Sequence, residues 1–172
     1  MGTEWLGERS RNGGIDEIPL RGRGRLWLCG KHLVGPDPEQ ALERTGATTI
    51  VCLNERTELA ERYPEYVDWL LENRGRRAVW VPLPDMHAPG TAAISPLFDE
   101  LERRLAEDEG LVIHCGAGIG RAGTVAAALL IRQGASLEQA LAVVASSRPM
   151  AGPQTESQLQ FLIELAGELD AS

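Results

Sequence analysis

Apolar residues along this chain follow two rhythms. Short runs flanked by glycine or turn residues occur at Leu26-Trp27-Leu28-Cys29, Thr48-Thr49-Ile50-Val51-Cys52-Leu53, Ala78-Val79-Trp80-Val81-Pro82-Leu83 and Leu111-Val112-Ile113-His114. Unbroken apolar runs of this length predict strands buried on both faces. A weaker run near Ile15–Ile18 predicts a short edge strand within an otherwise irregular arm over residues 1–25, which is rich in Gly, Arg and Glu. Between the runs the spacing changes to three and four. Leu97, Phe98, Leu101 and Leu105 form one face of a helix capped by Ser95 with Pro96 at its start, and another helical stretch covers roughly Pro64–Glu72. One short helix is predicted between the first two runs, capped by Asp37, opened by Pro38 and ended by Gly46. Arg121–Gln133 is apolar on nearly every face, which predicts a central, buried helix stopped at Gly134. Ser136 with Gln139 forms a capping box for the next helix, and Thr155 with Gln158 offers the same for the last. Strands alternating with helices predict a single α/β domain over residues 26–172, with a mainly parallel central sheet of about four to five strands flanked by helices. The C-terminal third is predicted to be all helical.

Composition narrows the class. At 172 residues, 43% hydrophobic and 24% charged, the chain fits one globular domain with an adequate core. No apolar run approaches the roughly 18 residues of a membrane span, and the opening residues carry neither a secretory core nor a myristoylation pattern, so a cytoplasmic protein without membrane association is expected. A net charge of −8 gives no general attraction to nucleic acid, and Arg21, Arg23 and Arg25 read as a solvated loop. Cys29, Cys52 and Cys115 are odd in number and widely spaced, which argues against a disulfide framework or a zinc site. No metal or other cofactor is expected, and the expected state is a monomer.

The chemistry concentrates after the fourth apolar run. Residues 111–124 deliver Cys115 into a glycine-rich turn closed by Gly116, Gly118 and Gly120, with Arg121 six residues past the cysteine and a helix following. Such a turn aims successive backbone N–H groups inward and forms an anion site reinforced by the helix dipole. Those N–H groups, the dipole and the fixed charge of Arg121 favour a thiolate nucleophile at Cys115, and the arginine fork can grip two phosphate oxygens.

His114-Cys115-Gly116-Ala117-Gly118-Ile119-Gly120-Arg121 resembles the signature of the cysteine-dependent protein phosphatases, the protein-tyrosine and dual-specificity enzymes. The resemblance implies a phosphoprotein phosphatase acting on phosphotyrosine, with phosphoserine and phosphothreonine as further candidates, and a phosphorylated protein or peptide as partner. Cys115 is then the nucleophile and Arg121 the phosphate ligand, together with the N–H groups of Gly116, Ala117, Gly118, Ile119 and Gly120. Asp85, in the proline-punctuated loop Pro84–Gly90 and 30 residues before the cysteine, resembles the family's general acid. Gln154, in Gly152-Pro153-Gln154-Thr155, resembles the glutamine that positions the hydrolytic water. Gln158 is explained as well by the capping box. Strand alternation turns His114 away from Cys115, and the resemblance gives it a role supporting the loop. One departure stands out. The family usually carries Ser or Thr directly after the arginine, whereas this chain has Ala122, and Thr124 lies two residues further on.

Three alternatives remain beside this reading. A catalytically weak phosphate-binding module on the same fold would accommodate Ala122. A sulfurtransferase also places a cysteine loop after a strand, but leaves Asp85 and Gln154 unexplained. Gly118-Ile119-Gly120-Arg121-Ala122-Gly123 also fits the dinucleotide fingerprint Gly-x-Gly-x-x-Gly, which requires a further parallel strand after the helix.

Overall fold

The structure, a computed structural model, describes residues 9–171, except for the side chains of residues 91–93. Five strands, β1 (Ile15–Ile18), β2 (Arg25–Gly30), β3 (Thr49–Cys52), β4 (Ala78–Trp80) and β5 (Gly110–Cys115), make one sheet in the order β1-β2-β5-β3-β4. Only β1 runs antiparallel, against β2; the other pairings are parallel. The helices are α1 (Lys31–Val34), α2 (Pro38–Thr45), α3 (Arg56–Leu59), α4 (Pro64–Asn73), α5 (Thr91–Ala106), α6 (Gly120–Arg132), α7 (Leu137–Ser147) and α8 (Glu156–Asp170). The α/β architecture follows the expectation, and α6, α7 and α8 make the end of the chain helical. Among the described residues no strand follows α6, which removes the dinucleotide reading.

Strand alternation divides the core into two layers. Leu111, Ile113 and Cys115 of β5 pack with α5, α6 and α8, together with Leu28 and Val51. Val112 faces the other way, among Cys29, Ile50, Cys52 and Tyr66. Both faces of β5 are therefore dry, which is why its sequence is an uninterrupted apolar run. Helix α6 lies against this sheet with every residue from Gly120 to Ile131 buried.

Local signals account for most boundaries. Asp37 accepts from the Gln40 N–H to cap α2, and Gly46 ends it at φ 74°, where a Cβ would be strained. The Ser136–Gln139 capping box forms at α7 as predicted. Four boundaries differ. Two helices, not one, separate β2 from β3, because α1 is too short to carry periodicity; α3 is missed for the same reason. Helix α5 begins after Gly90, a full turn before Ser95, because burying Ile94 beside Leu97 and Phe98 outweighs the hydrogen bond that Pro96 forfeits. Strand β4 stops at Trp80 because Pro82 interrupts it, although Val81 and Leu83 still donate to the Cys52 and Leu53 carbonyls at 3.0 Å. At α8 the box is half formed: Thr155 accepts from the Gln158 N–H, while the Gln158 side chain turns to the Gln154 N–H at 2.8 Å.

Candidate active site

Cys115 ends the central strand β5, 3% exposed, where the chain leaves the sheet for α6. The next four carbonyls are all held from outside. Gly116 O accepts from Lys31 N at 3.0 Å, and Ile119 O from Gly123 N and Gly152 N, each at 3.0 Å. Ala117 O and Gly118 O accept from the guanidinium of Arg148, both at 2.9 Å. In a planar trans peptide, carbonyls turned outward leave the following N–H groups, those of residues 117–120, turned inward above Cys115. The N-terminus of α6 adds its dipole to the same point. Gly118 makes the close turn possible: it sits at φ 74°, and a Cβ there would overlap the Cys29 carbonyl.

Arg121, on the first turn of α6, is 3% exposed. Glu58 of α3 takes one edge of its guanidinium, bonding Nη1 at 2.9 Å and Nη2 at 2.7 Å, and Leu83 O accepts from Nη1 at 2.8 Å. Nε is buried without a protein partner. Glu58 therefore occupies the Nη1–Nη2 edge, and the edge formed by Nε and Nη2 is the one left open to an anion. Burial alone would push the Glu58 carboxyl up. Hydrogen bonds from Arg121, the Glu55 N–H and Asn54, with the charge of Arg121, outweigh it and bring the value down to about 2.

Asp85 stands at the rim with 68% of its side chain exposed, its Oδ1 3.5 Å from Arg121 Nη2. The same oxygen accepts from the Met86 N–H at 2.9 Å, and Met86 adopts φ 64°. This loop is tied to the segment carrying Gln154. Thr155 Oγ1 donates to Met86 O at 3.0 Å, and Gln158 Nε2 donates to His87 O at 3.4 Å while its Oε1 holds the Gln154 N–H. Gln158, 1% exposed, therefore bridges the two loops in addition to ending its turn of helix. The Gln154 amide lies over Gly120, where a Cβ would stand 2.9 Å from Oε1.

His114 is fully buried on the opposite face of β5, with Nε2 2.6 Å from Tyr66 Oη and Nδ1 3.4 Å from Cys115 O. Burial lowers its pKa to about 4, against the opposing pull of the Cys115 carbonyl, so the ring is neutral near pH 7. Ala122 is buried, and the Thr124 hydroxyl is committed to Gly120 O at 2.7 Å, so it makes no substitute for a hydroxyl at position 122. Cys29 and Cys52 are core residues whose thiols burial pushes up to about 12. Sequence reasoning does not single out Glu58, Arg148 or Tyr66. Each acts through a long-range contact: Arg148 reaches Asp16 Oδ2 at 2.8 Å as well as the loop, and no local pattern marks such a residue.

Comparison with known proteins agrees with this geometry. A family model described as a Swiss Army Knife protein, DSP-PTPase phosphatase domain, matches residues 29–164. Cyclin-dependent kinase inhibitor 3 of Sus scrofa is 31% identical over 135 residues, 77% of this chain and 63% of that protein. Protein tyrosine phosphatase type IVA 3 of Bos taurus is 30% identical over 123 residues, covering 70% of this chain and 65% of that protein. The chain thus spans a little under two thirds of these curated relatives. Among solved structures, kinase associated phosphatase with its catalytic-site cysteine replaced by serine gives a TM-score of 0.76 at 27% identity, covering 92% of this chain and 97% of that one. Tk-PTP in its active form gives 0.70 at 29% identity, covering 88% and 97%. With the matched region running from the end of β2 into α8 and enclosing the cysteine loop, the chain belongs to the dual-specificity and protein-tyrosine phosphatase domain family.

Proposed function

We propose that this chain is a phosphoprotein phosphatase that hydrolyses phosphotyrosine, and with it phosphoserine and phosphothreonine, through a phosphocysteine intermediate on Cys115. One observation carries the reading: every carbonyl of Gly116–Ile119 is tied outward around a buried cysteine, beside a buried arginine with an unoccupied Nε. An apolar or cationic ligand has no use for such a ring; a phosphoryl group matches it. The Cys115 thiolate attacks phosphorus while Arg121 Nε and Nη2 and the loop N–H groups hold the non-bridging oxygens. The bond from phosphorus to the substrate oxygen breaks, and Asp85 protonates the departing oxygen. Gln154 then orients a water, Asp85 takes its proton, the water oxygen bonds to phosphorus, and phosphate leaves with the thiolate restored. None of these steps calls for a metal. Release of p-nitrophenol from p-nitrophenyl phosphate in excess EDTA tests the proposal. Native protein should turn over, and Cys115→Ser should reduce turnover to background; metal dependence, or activity that survives Cys115→Ser, would refute it.

Ala122 favours a second reading, a phosphate-binding module with slow turnover. A hydroxyl at this position would donate to the leaving thiolate, and lacking one such bond slows phosphoenzyme breakdown by about tenfold to a hundredfold. Ala122→Ser should therefore raise steady-state turnover by about tenfold and shrink any initial burst of p-nitrophenol. An unchanged rate would show that the missing hydroxyl limits nothing.

A further inference from the structure

Several basic side chains of the protein are neutralised in place. Arg9 and Arg148 pair with Asp16, Arg25 with Glu17, Arg77 with Glu39, Arg103 and Arg104 with Glu100, and Arg132 with Asp99 and Glu102. Arg21, Arg56, Arg74 and Arg76 have no ion pair among the described residues, and neither do three further cations that line cavities on one flank of the cysteine loop. Arg11, Lys31 and Arg62 have no carboxylate within ion-pair distance among the described residues. Lys31 sits where two open cavities meet. One, of about 500 Å³, is walled by Arg11, His32 and the loop residues Gly116 and Ala117; the other, of about 540 Å³, by Thr57, Glu61 and Arg62. The Lys31 N–H donates to Gly116 O and its Nζ donates to Glu58 O at 3.2 Å, so its charge is anchored beside the phosphate loop. His32 has its pKa lowered by burial and then by the charges of Arg62 and Lys31, which marks the flank as a region of positive potential. Among the described residues lining the two cavities, Glu58 is spent on Arg121, and the exposed Glu61 lies beside Lys31 and Arg62; Asp16, nearby, is spent on Arg9 and Arg148.

We propose that Arg11, Lys31 and Arg62 form a subsite for a carboxylate or a second phosphate on the same peptide as the phosphorylated residue, so that the preferred substrates are phosphopeptides with acidic flanks. The inference rests on the phosphatase reading above and adds the substrate class. In a chain of net charge −8, the general field favours a neutral or basic phosphopeptide, so a preference for an acidic one has to come from cations placed beside the cysteine loop. The local row therefore selects by position and not by overall attraction. The row is also short and holds Glu61 within it, which fits discrete acidic side chains better than an anionic lipid surface.

The test pairs a peptide carrying a central phosphotyrosine flanked by aspartates with its alanine-flanked counterpart. Both kcat/KM in the native protein and affinity for the Cys115→Ser protein are measured, at low and physiological salt. The aspartate peptide should be favoured by about tenfold at low salt, less at higher salt, and Lys31→Gln with Arg62→Gln should bring the ratio to about one, each variant being normalised to its own p-nitrophenyl phosphate turnover. Equal use of the two peptides by an enzyme that hydrolyses p-nitrophenyl phosphate overturns the subsite and leaves the phosphatase reading intact. An acidic preference that survives both substitutions overturns it as well. Failure of turnover together with failure of the Cys115→Ser protein to hold either peptide removes the phosphatase reading and the subsite with it. Binding to phosphatidylserine vesicles that is lost in the same double variant, without discrimination between the peptides, would assign the row to lipid instead.

Discussion

Glu58 serves two structures at once. Its carboxylate accepts from the Glu55 N–H, closing the capping box of α3, and the same two oxygens clamp Arg121. A helix start and the orientation of the Arg121 guanidinium are thereby set by one side chain. Glu58→Gln keeps the shape and removes the charge, leaving a buried guanidinium whose nearest remaining carboxylate is Asp85 at 3.5 Å. Losing one partner of a buried pair is costly, so the variant should be less stable by about 2–4 kcal/mol. The freed guanidinium should also turn toward Asp85, which would raise KM for p-nitrophenyl phosphate about tenfold and weaken the acid. If KM is unchanged, the orienting role of Glu58 is wrong. Nothing in the sequence Leu53-Asn54-Glu55-Arg56-Thr57-Glu58 distinguishes this carboxylate from its neighbours, because its partner lies 63 residues away.

Contacts between elements set where Gln154 sits, and with it the water of the proposed hydrolysis. The segment before α8 reaches the cysteine loop because Gly123 and Gly152 let two backbones touch; a Cβ on Gly123 would overlap the Gly152 nitrogen. Gly123→Ala must push residues 151–152 outward, at about 1–3 kcal/mol of stability. It should also carry Gln154 off Gly120, slowing phosphoenzyme hydrolysis more than its formation. Stopped-flow release of p-nitrophenol should then show a burst followed by a slow steady rate; equal slowing of both phases would argue against the placement of Gln154. At this scale the sequence is uneven as a guide. Strands β2, β3 and β5 are legible because both of their faces are buried, and α2 and α7 because Asp37, Gly46, Ser136 and Gln139 are local devices. Helices α1 and α3 are not, since four residues complete barely one turn. Cys115, Arg121 and the loop glycines lie within one motif and are readable together. Arg148 and Tyr66 are not, because their partners come from distant strands.

For the molecule as a whole, one buried and one half-buried titrating group give stability a definite pH dependence. His114 has a folded value of about 4 against an ordinary 6.5, so between those values the unfolded chain binds a proton that the native protein refuses. By linkage, stability should fall as pH drops from 6.5 to 4, by about 3 kcal/mol in total. Glu58, held at about 2 against 4.5, contributes stability that is present above pH 4.5 and is lost between 4.5 and 2. Urea midpoints measured across this range should show the upper slope disappear in His114→Gln while the lower slope remains. Should the slope between pH 6.5 and 4 persist in that variant, another group is responsible.

The guanidinium of Arg148 reaches the Ala117 and Gly118 carbonyls on one side and Gly14 O, Leu28 O and Asp16 on the other. The residue that holds the loop carbonyls thus ties the loop to the first strand, and closing it waits on a contact spanning 132 residues. During synthesis, strand β5 and its cysteine leave the ribosome long before the residue that shapes the ring around them. A nascent chain halted ahead of Arg148 carries Cys115 without the contacts that turn the Ala117 and Gly118 carbonyls outward, so the proposed phosphate site waits for Arg148 to emerge.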